Sequence, residues 1–180
     1  MKQLFASALA AAVLHITPTV ELVTRPDTVR RLLPGADQFV ERDLHLSSAD
    51  ADRLKQATDW TPEHGVLTFY IGKENGQEVG ILEFVRVDTP HGGVEVATGF
   101  TAQHTVRGVI VTKVTVETKP WMVQALEAGL TDHYKGLKPT DTAAGAAAVK
   151  GHVGDNSAFY AEEVDKGVER ALVAFRDFYK

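Results

Sequence analysis

Residues 91–130 read HGGVEVATGFTAQHTVRGVIVTKVTVETKPWMVQALEAGL, and this stretch decides the fold. It opens on a glycine pair, Gly92-Gly93. Val94–Phe100 and Val106–Val116 are rich in β-branched residues, which fit a pleated, half-buried surface. Thr101–Thr105 is the turn between them. On the second run, Val109, Val111 and Lys113 alternate against Ile110, Thr112, Val114 and Val116. The period then changes at Thr118-Lys119-Pro120-Trp121. Beyond Pro120, residues Trp121, Met122, Ala125, Leu126 and Leu130 share one helical face, which Gly129 or Gly136 ends.

Upstream, Val66–Ile71 and Val79–Val87 are two more strands, joined through Asn75-Gly76, a strong hairpin signal. On Val79–Val87, Phe84 points to one face and Val85 and Val87 to the other. Asp88–Gly93 is the loop to the next strand. Four strands joined by short turns predict an antiparallel meander. Phe39-Val40 and Leu44–Leu46 are further strand material. Before them, Thr24 or Asp27 caps a short helix that buries Val29, Leu32 and Leu33 and stops at Pro34-Gly35. A two-turn helix over Ala51–Thr58 faces Leu54 inward, and Trp60-Thr61-Pro62 ends it.

Downstream, Thr140–Val149 is a run of small residues that reads equally as a loop or a close-packed segment. Ala158–Lys180 is the last helix, with Phe159, Val164, Val168, Leu172, Phe175 and Phe178 or Tyr179 near helical spacing and Asn156 or Ser157 as its N-cap. The fold class expected is α+β: an antiparallel sheet of about four to six strands with packed helices, in one domain over residues 21–180.

Residues 1–20 stand apart. Lys2 precedes a short apolar run, and Ala-x-Ala triplets follow at Ala6–Ala8, Ala8–Ala10 and Ala10–Ala12. These are the parts of a secretory signal in their usual order, which predicts an exported, periplasmic or membrane-associated protein. The alternative is an N-terminal helix packed on the domain, since Ala and Leu are strong helix formers.

The 180-residue chain carries a net charge of −5 and no cysteine. The charge offers no footprint for nucleic acid. Without cysteine there is no disulfide-linked partner and no thiolate metal site. The seven histidines fall at no metal-ligand spacing, so no metal is expected. No nucleophile elbow, phosphate-binding loop or dinucleotide fingerprint is present. The carboxylates and cations of the last helix have the pattern of a solvated face.

Two places remain for a ligand. At Thr118, Lys119, Pro120 and Trp121 a strand ends and a helix starts, so unpaired backbone N–H groups lie beside a cation and an indole. That combination suits a phosphorylated aromatic ligand. It also describes a plain β-to-α corner with Trp121 in the core. Gly151–Ser157 is a second glycine-rich turn opening a helix.

At these places the chain resembles the FMN-binding domain family, which includes the flavin-carrying subunits of the Rnf and Na⁺-pumping quinone reductase complexes. Pro90-His91-Gly92-Gly93-Val94-Glu95-Val96 is similar to the family's Gly-Gly-initiated strand, and Gly108–Val111 to the strand that follows. Glu117-Thr118-Lys119-Pro120-Trp121 stands at the family's Glu-Thr-Pro-Gly, and Gly154-Asp155-Asn156-Ser157 at its Ser-Gly-Ala-Thr. Leu32–Ala36 resembles a segment often found upstream. The resemblance implies an FMN-binding electron-transfer module working with a redox partner or a membrane electron-transfer complex, rather than a stand-alone enzyme. Its flavin site would comprise Gly92, Gly93, Thr118, Lys119, Pro120, Trp121, Gly154, Asn156 and Ser157. The family esterifies a threonine of its last motif to FMN. Here Asn156 holds that position without a hydroxyl and Asp155 adds a carboxylate beside the phosphate, so the flavin implied is non-covalent. The alternative is a non-catalytic binding or assembly module that retains the fold and has lost the flavin.

Overall fold

A computed structural model of the chain describes residues 18–179. The signal-like run at the N-terminus lies outside these described residues. Six strands form one antiparallel sheet: β1 (Thr19–Glu21), β2 (Gln38–His45), β3 (Val66–Glu74), β4 (Gln77–Thr89), β5 (Gly92–Thr101) and β6 (Val106–Thr115), in the order β1-β6-β5-β4-β3-β2. The helices are α1 (Arg25–Leu32), α2 (Ser48–Thr58), α3 (Lys119–Glu127), α4 (Gly145–Val149) and α5 (Asp155–Phe178). The fold is α+β, with the expected meander running from β3 to β6.

The long helix α5 covers one face of the sheet. Its buried positions, among them Tyr160, Val164, Val168, Leu172, Phe175 and Phe178, recur every three or four residues. They meet Phe69, Ile81, Val85, Val96, Phe100 and Val111 in the main core. Gly167 sets how near the helix comes: a Cβ built there would stand 2.8 Å from Val96 Cγ2. Helix α1 covers part of the opposite face, where Leu32 and Leu33 pack on Leu82 and Ala97. The capping expectation holds here, since the Thr24 side chain accepts from the Asp27 N–H.

Several elements differ from the sequence reading, each for a local reason. β1 is a strand no pattern announced; three residues suffice because β6 supplies its partner. β2 is one continuous strand rather than two fragments, and it lies at the sheet edge with Phe39 and Val40 exposed. Gly92 and Gly93 belong to β5 and pair with Thr89 and Asp88, so the expected loop shrinks to a tight turn. On β6 the alternation changes phase. The β5–β6 register shifts at Glu95/Val96 and at Gly99/Phe100, which leaves Thr112 and Arg107 as extra residues on β6. Val114 therefore joins Val109 and Val111 in the core, and Val116 is exposed.

Helix α5 begins at Asp155 with Gly154 as its N-cap, so neither Asn156 nor Ser157 caps it. Phe159 on its first turn faces outward, 39% exposed. The small-residue run over Thr140–Val149 is close-packed: Ala143, Ala146 and Val149 are buried and α4 forms within it. One side chain anchors it. Asp165 of α5 accepts from the Tyr134 hydroxyl (2.7 Å) and from the N–H groups of Gly145 (3.0 Å) and Ala146 (3.1 Å).

The close approach at Gly167 leads to a measurable expectation. Gly167→Val should lower unfolding free energy by about 1–3 kcal/mol, the usual cost of overpacking. Gly151→Ala, at a position with open space around it, should stay within about 0.5 kcal/mol. Urea denaturation midpoints of the two variants check this.

Candidate functional site

The fold does bring the two sequence-predicted walls together, through a residue the sequence reading passed over. Gln124 of α3 faces the start of α5. Its Oε1 accepts from the Ser157 hydroxyl at 2.5 Å and from the Gly154 N–H at 3.4 Å. Trp121, one turn earlier on α3, stacks on Tyr160 of α5 with ring centroids 5.7 Å apart and an interplanar angle of 22°. The Tyr160 hydroxyl lies 3.2 Å from Thr89 Oγ1, which ties this stack to the end of β4. Burial, only partly offset by the Thr89 contact, raises the Tyr160 phenol above its ordinary range.

The remaining predicted residues are engaged in the same joint. Thr118 is 1% exposed, and its hydroxyl turns back to the strand instead of capping α3: it accepts from the Thr115 N–H (3.2 Å) and lies 3.0 Å from Thr115 Oγ1. Thr115 Oγ1 in turn donates to the His91 carbonyl (3.0 Å). A Cβ on Gly92 would run into the Thr115 methyl, and one on Gly93 would stand 2.8 Å from the Arg86 guanidinium. His91 packs its ring edge on Trp121 and pairs its Nδ1 with Glu117 (3.1 Å). Only Lys119, Pro120, Gly154 and Asn156 are left exposed.

This arrangement does not fit FMN. The hydroxyls near the expected phosphate are bonded within the protein, and the indole expected to stack on the ring is stacked on Tyr160. Both glycine faces are covered by the protein's own side chains. Asp155, in the first turn of α5, adds a negative charge where the phosphate would lie.

A different place is open, and the sheet itself makes it. β3 and β4 pair only as far as Phe69↔Glu83. Beyond that point Val66–Thr68 continue with β2, as far as His45↔Val66, while Phe84–Thr89 continue with β5, as far as Thr89↔Gly92. The strands diverge and leave a cleft of about 820 Å³, within the size range of small-molecule sites. Trp60 and Pro62, from the segment between α2 and β3, line it, as do Phe84 and Arg86 of β4. Arg170 reaches in from α5 and donates to the Arg86 carbonyl at 3.3 Å, which satisfies one backbone group the split leaves unpaired. From the other face Arg25 of α1 pairs with Glu95 of β5 (3.4 Å) and lies 4.3 Å from the centre of the Phe84 ring.

Glu83 sits where the strands part. It shares the core side of β4 with Ile81, Val85 and Val87, and it is 2% exposed. Its Oε2 has no hydrogen-bond partner, and neither does the hydroxyl of Thr98 directly across on β5. Burial pushes the Glu83 carboxyl well above the usual carboxylate range, so it is held protonated. Glu95 behaves oppositely. Burial alone would raise it, but the Thr112 hydroxyl (2.7 Å) and the cations Arg25 and Lys113 hold it below its ordinary value.

The sequence does contain a signal for Glu83: a carboxylate at the parity of Val79, Ile81, Val85 and Val87. The cleft gives none, because it depends on where β3 stops pairing with β4. Compared with protein-family models and with curated proteins, the chain gives no match. Among the described residues no group of three or more His, Asp or Glu could hold a metal ion, and no helix is long and apolar enough to cross a membrane.

Two outcomes follow from this geometry. Gln124→Ala should lower stability by about 1–2 kcal/mol, because it orphans the Ser157 hydroxyl; thermal unfolding checks it. Glu83→Gln should stabilise the protein, increasingly so as pH rises. The unfolded carboxyl ionises near its ordinary value of 4.5 while the folded one stays protonated. Wild-type stability should therefore fall relative to the variant, by up to about 1.4 kcal/mol per pH unit, until the folded carboxyl ionises. Paired denaturation curves across a pH series measure the difference.

Proposed function

We propose that this chain is a non-catalytic binding module that keeps an α+β fold of the kind expected and carries no flavin at its helix starts. One observation carries the reading. The Ser157–Gln124 hydrogen bond and the Trp121–Tyr160 stack close the joint in which FMN would lie. For the electron-transfer reading, Ser157 would have to leave Gln124 and Trp121 would have to leave Tyr160, and the buried Tyr160 ring would then lose its cover. No nucleophile–base pair stands beside the open cleft to support a hydrolytic alternative. What the cleft offers is a concave, strongly charged surface with aromatic walls at Trp60 and Phe84, within the size range of ligand sites.

Desalting after incubation with FMN tests the reading. The full chain should retain no flavin, judged by the absorption band near about 450 nm of a bound flavin cofactor. Retained flavin with quenched fluorescence, abolished by Trp121→Ala, would overturn it in favour of the electron carrier.

A further inference from the structure

We propose that the cleft between β3 and β4 binds a small organic monocation, an ammonium or amidinium group on an apolar body, whose charge pairs with Glu83. This rests on the binding-module reading and gives that module its ligand class.

Most of the charge around the cleft is already paired within the protein. Arg25 pairs with Glu95 (3.4 Å), and Arg86 pairs with Asp88 (2.7 Å). Arg170 donates to the Arg86 carbonyl and lies in the field of Asp59, Asp88 and Glu163, although its Nε is left without an acceptor. Each lining cation therefore has a carboxylate near it. Glu83 is the carboxyl that none of them reaches, and its Oε2 is without a donor. Among the lining side chains five carboxyl groups stand against three guanidinium groups, so the uncompensated charge is negative once Glu83 ionises. An anion would meet that excess, whereas a cation would complete it.

The apolar part of the lining points the same way. The two aromatic walls already hold cations on their faces, with Arg25 at 4.3 Å from the Phe84 ring centre and Arg170 at 5.8 Å from that of Trp60. Such surfaces favour cationic groups carried on apolar bodies. Glu83 is buried, so a cation beside its carboxylate interacts more strongly than it would in water.

The binding step is an exchange of positive charge. The Glu83 carboxyl O–H breaks, its proton passes to solvent, and the ligand cation takes its place beside the carboxylate. The other charged groups facing this event are Arg86 and Asp88 on the same strand, Glu95 on β5, Arg25 on α1, Arg170 on α5, and Asp59 and Glu63 from the α2–β3 segment. Proton release makes affinity rise with pH while free Glu83 remains protonated.

Titration calorimetry of the full chain decides it, with benzamidinium and phenethylammonium as probes and benzamide as the neutral counterpart. Runs in two buffers of different ionisation enthalpy count protons. A cation should bind with release approaching one proton, and its affinity should rise by up to about tenfold per pH unit. Benzamide should not bind. Glu83→Gln should weaken cation binding by about tenfold or more and release no proton. The glutamine copies the shape of the neutral carboxyl, so the variant folds; Thr98→Val, which removes the neighbouring buried hydroxyl and no charge, should bind like wild type. Equal binding of benzamide, undiminished binding by Glu83→Gln, or binding of neither cation would overturn the assignment. Flavin retention is read separately: it would overturn the flavin-free reading, whereas failure of both cations alongside flavin-free protein would overturn the cleft assignment alone.

Discussion

The close contact between α5 and the centre of the sheet is the constraint on which the rest depends. Gly167 lets the helix backbone settle against Val87 and Val96, and from that line of contact α5 reaches nearly every other part. Its first turns hold α3 through Gln124 and Trp121. Its middle holds the small-residue segment through Asp165. Its later turns stack Phe175 on Phe100 with ring centroids 4.1 Å apart. Displacing α5 would disturb all three at once, which is why one small residue carries so much of the packing.

The same helix explains why a corner that looks suited to a phosphate is a structural joint. A β-to-α turn leaves N–H groups and a hydroxyl in need of partners. In this chain the partners are internal: Thr115 for Thr118, and Gln124 for Ser157 and Gly154. Trp121 finds Tyr160 in the same way. The residue types fit either use, and only the placement of α5 beside α3 selects one. The cleft shows the reverse situation. There β4 stays with β5 and β3 stays with β2, so the sheet separates, and Arg170 satisfies one carbonyl while Glu83 stays without a partner.

Much of the architecture was legible in local chemistry. The Asn75-Gly76 hairpin, the Thr24 cap and the alternation of Phe84 against Val85 and Val87 each act over a few residues, and each stands where its pattern places it. The structure departs from the local signal where a long-range partner overrides it. β1 is too short to announce itself without β6. The phase of β6 changes because extra residues at Arg107 and Thr112 bulge against β5, and nothing in the residue types marks a bulge. The start of α5 moved toward Gly154 because Gln124 holds that turn in place.

By itself the sequence determined the class of the molecule: an antiparallel meander followed by helices, without cysteine chemistry and without a basic surface. Those properties follow from period, turn residues and composition, which are local or additive. The tertiary structure alone decided which polar groups are spent and which are left over. Ser157 and Trp121 are consumed by neighbours distant in sequence, while Glu83, the carboxylate on the core face of β4, ends buried where the sheet splits. Hydrogen bonding is settled by pairs. A sequence names the members of those pairs, and folding chooses among them.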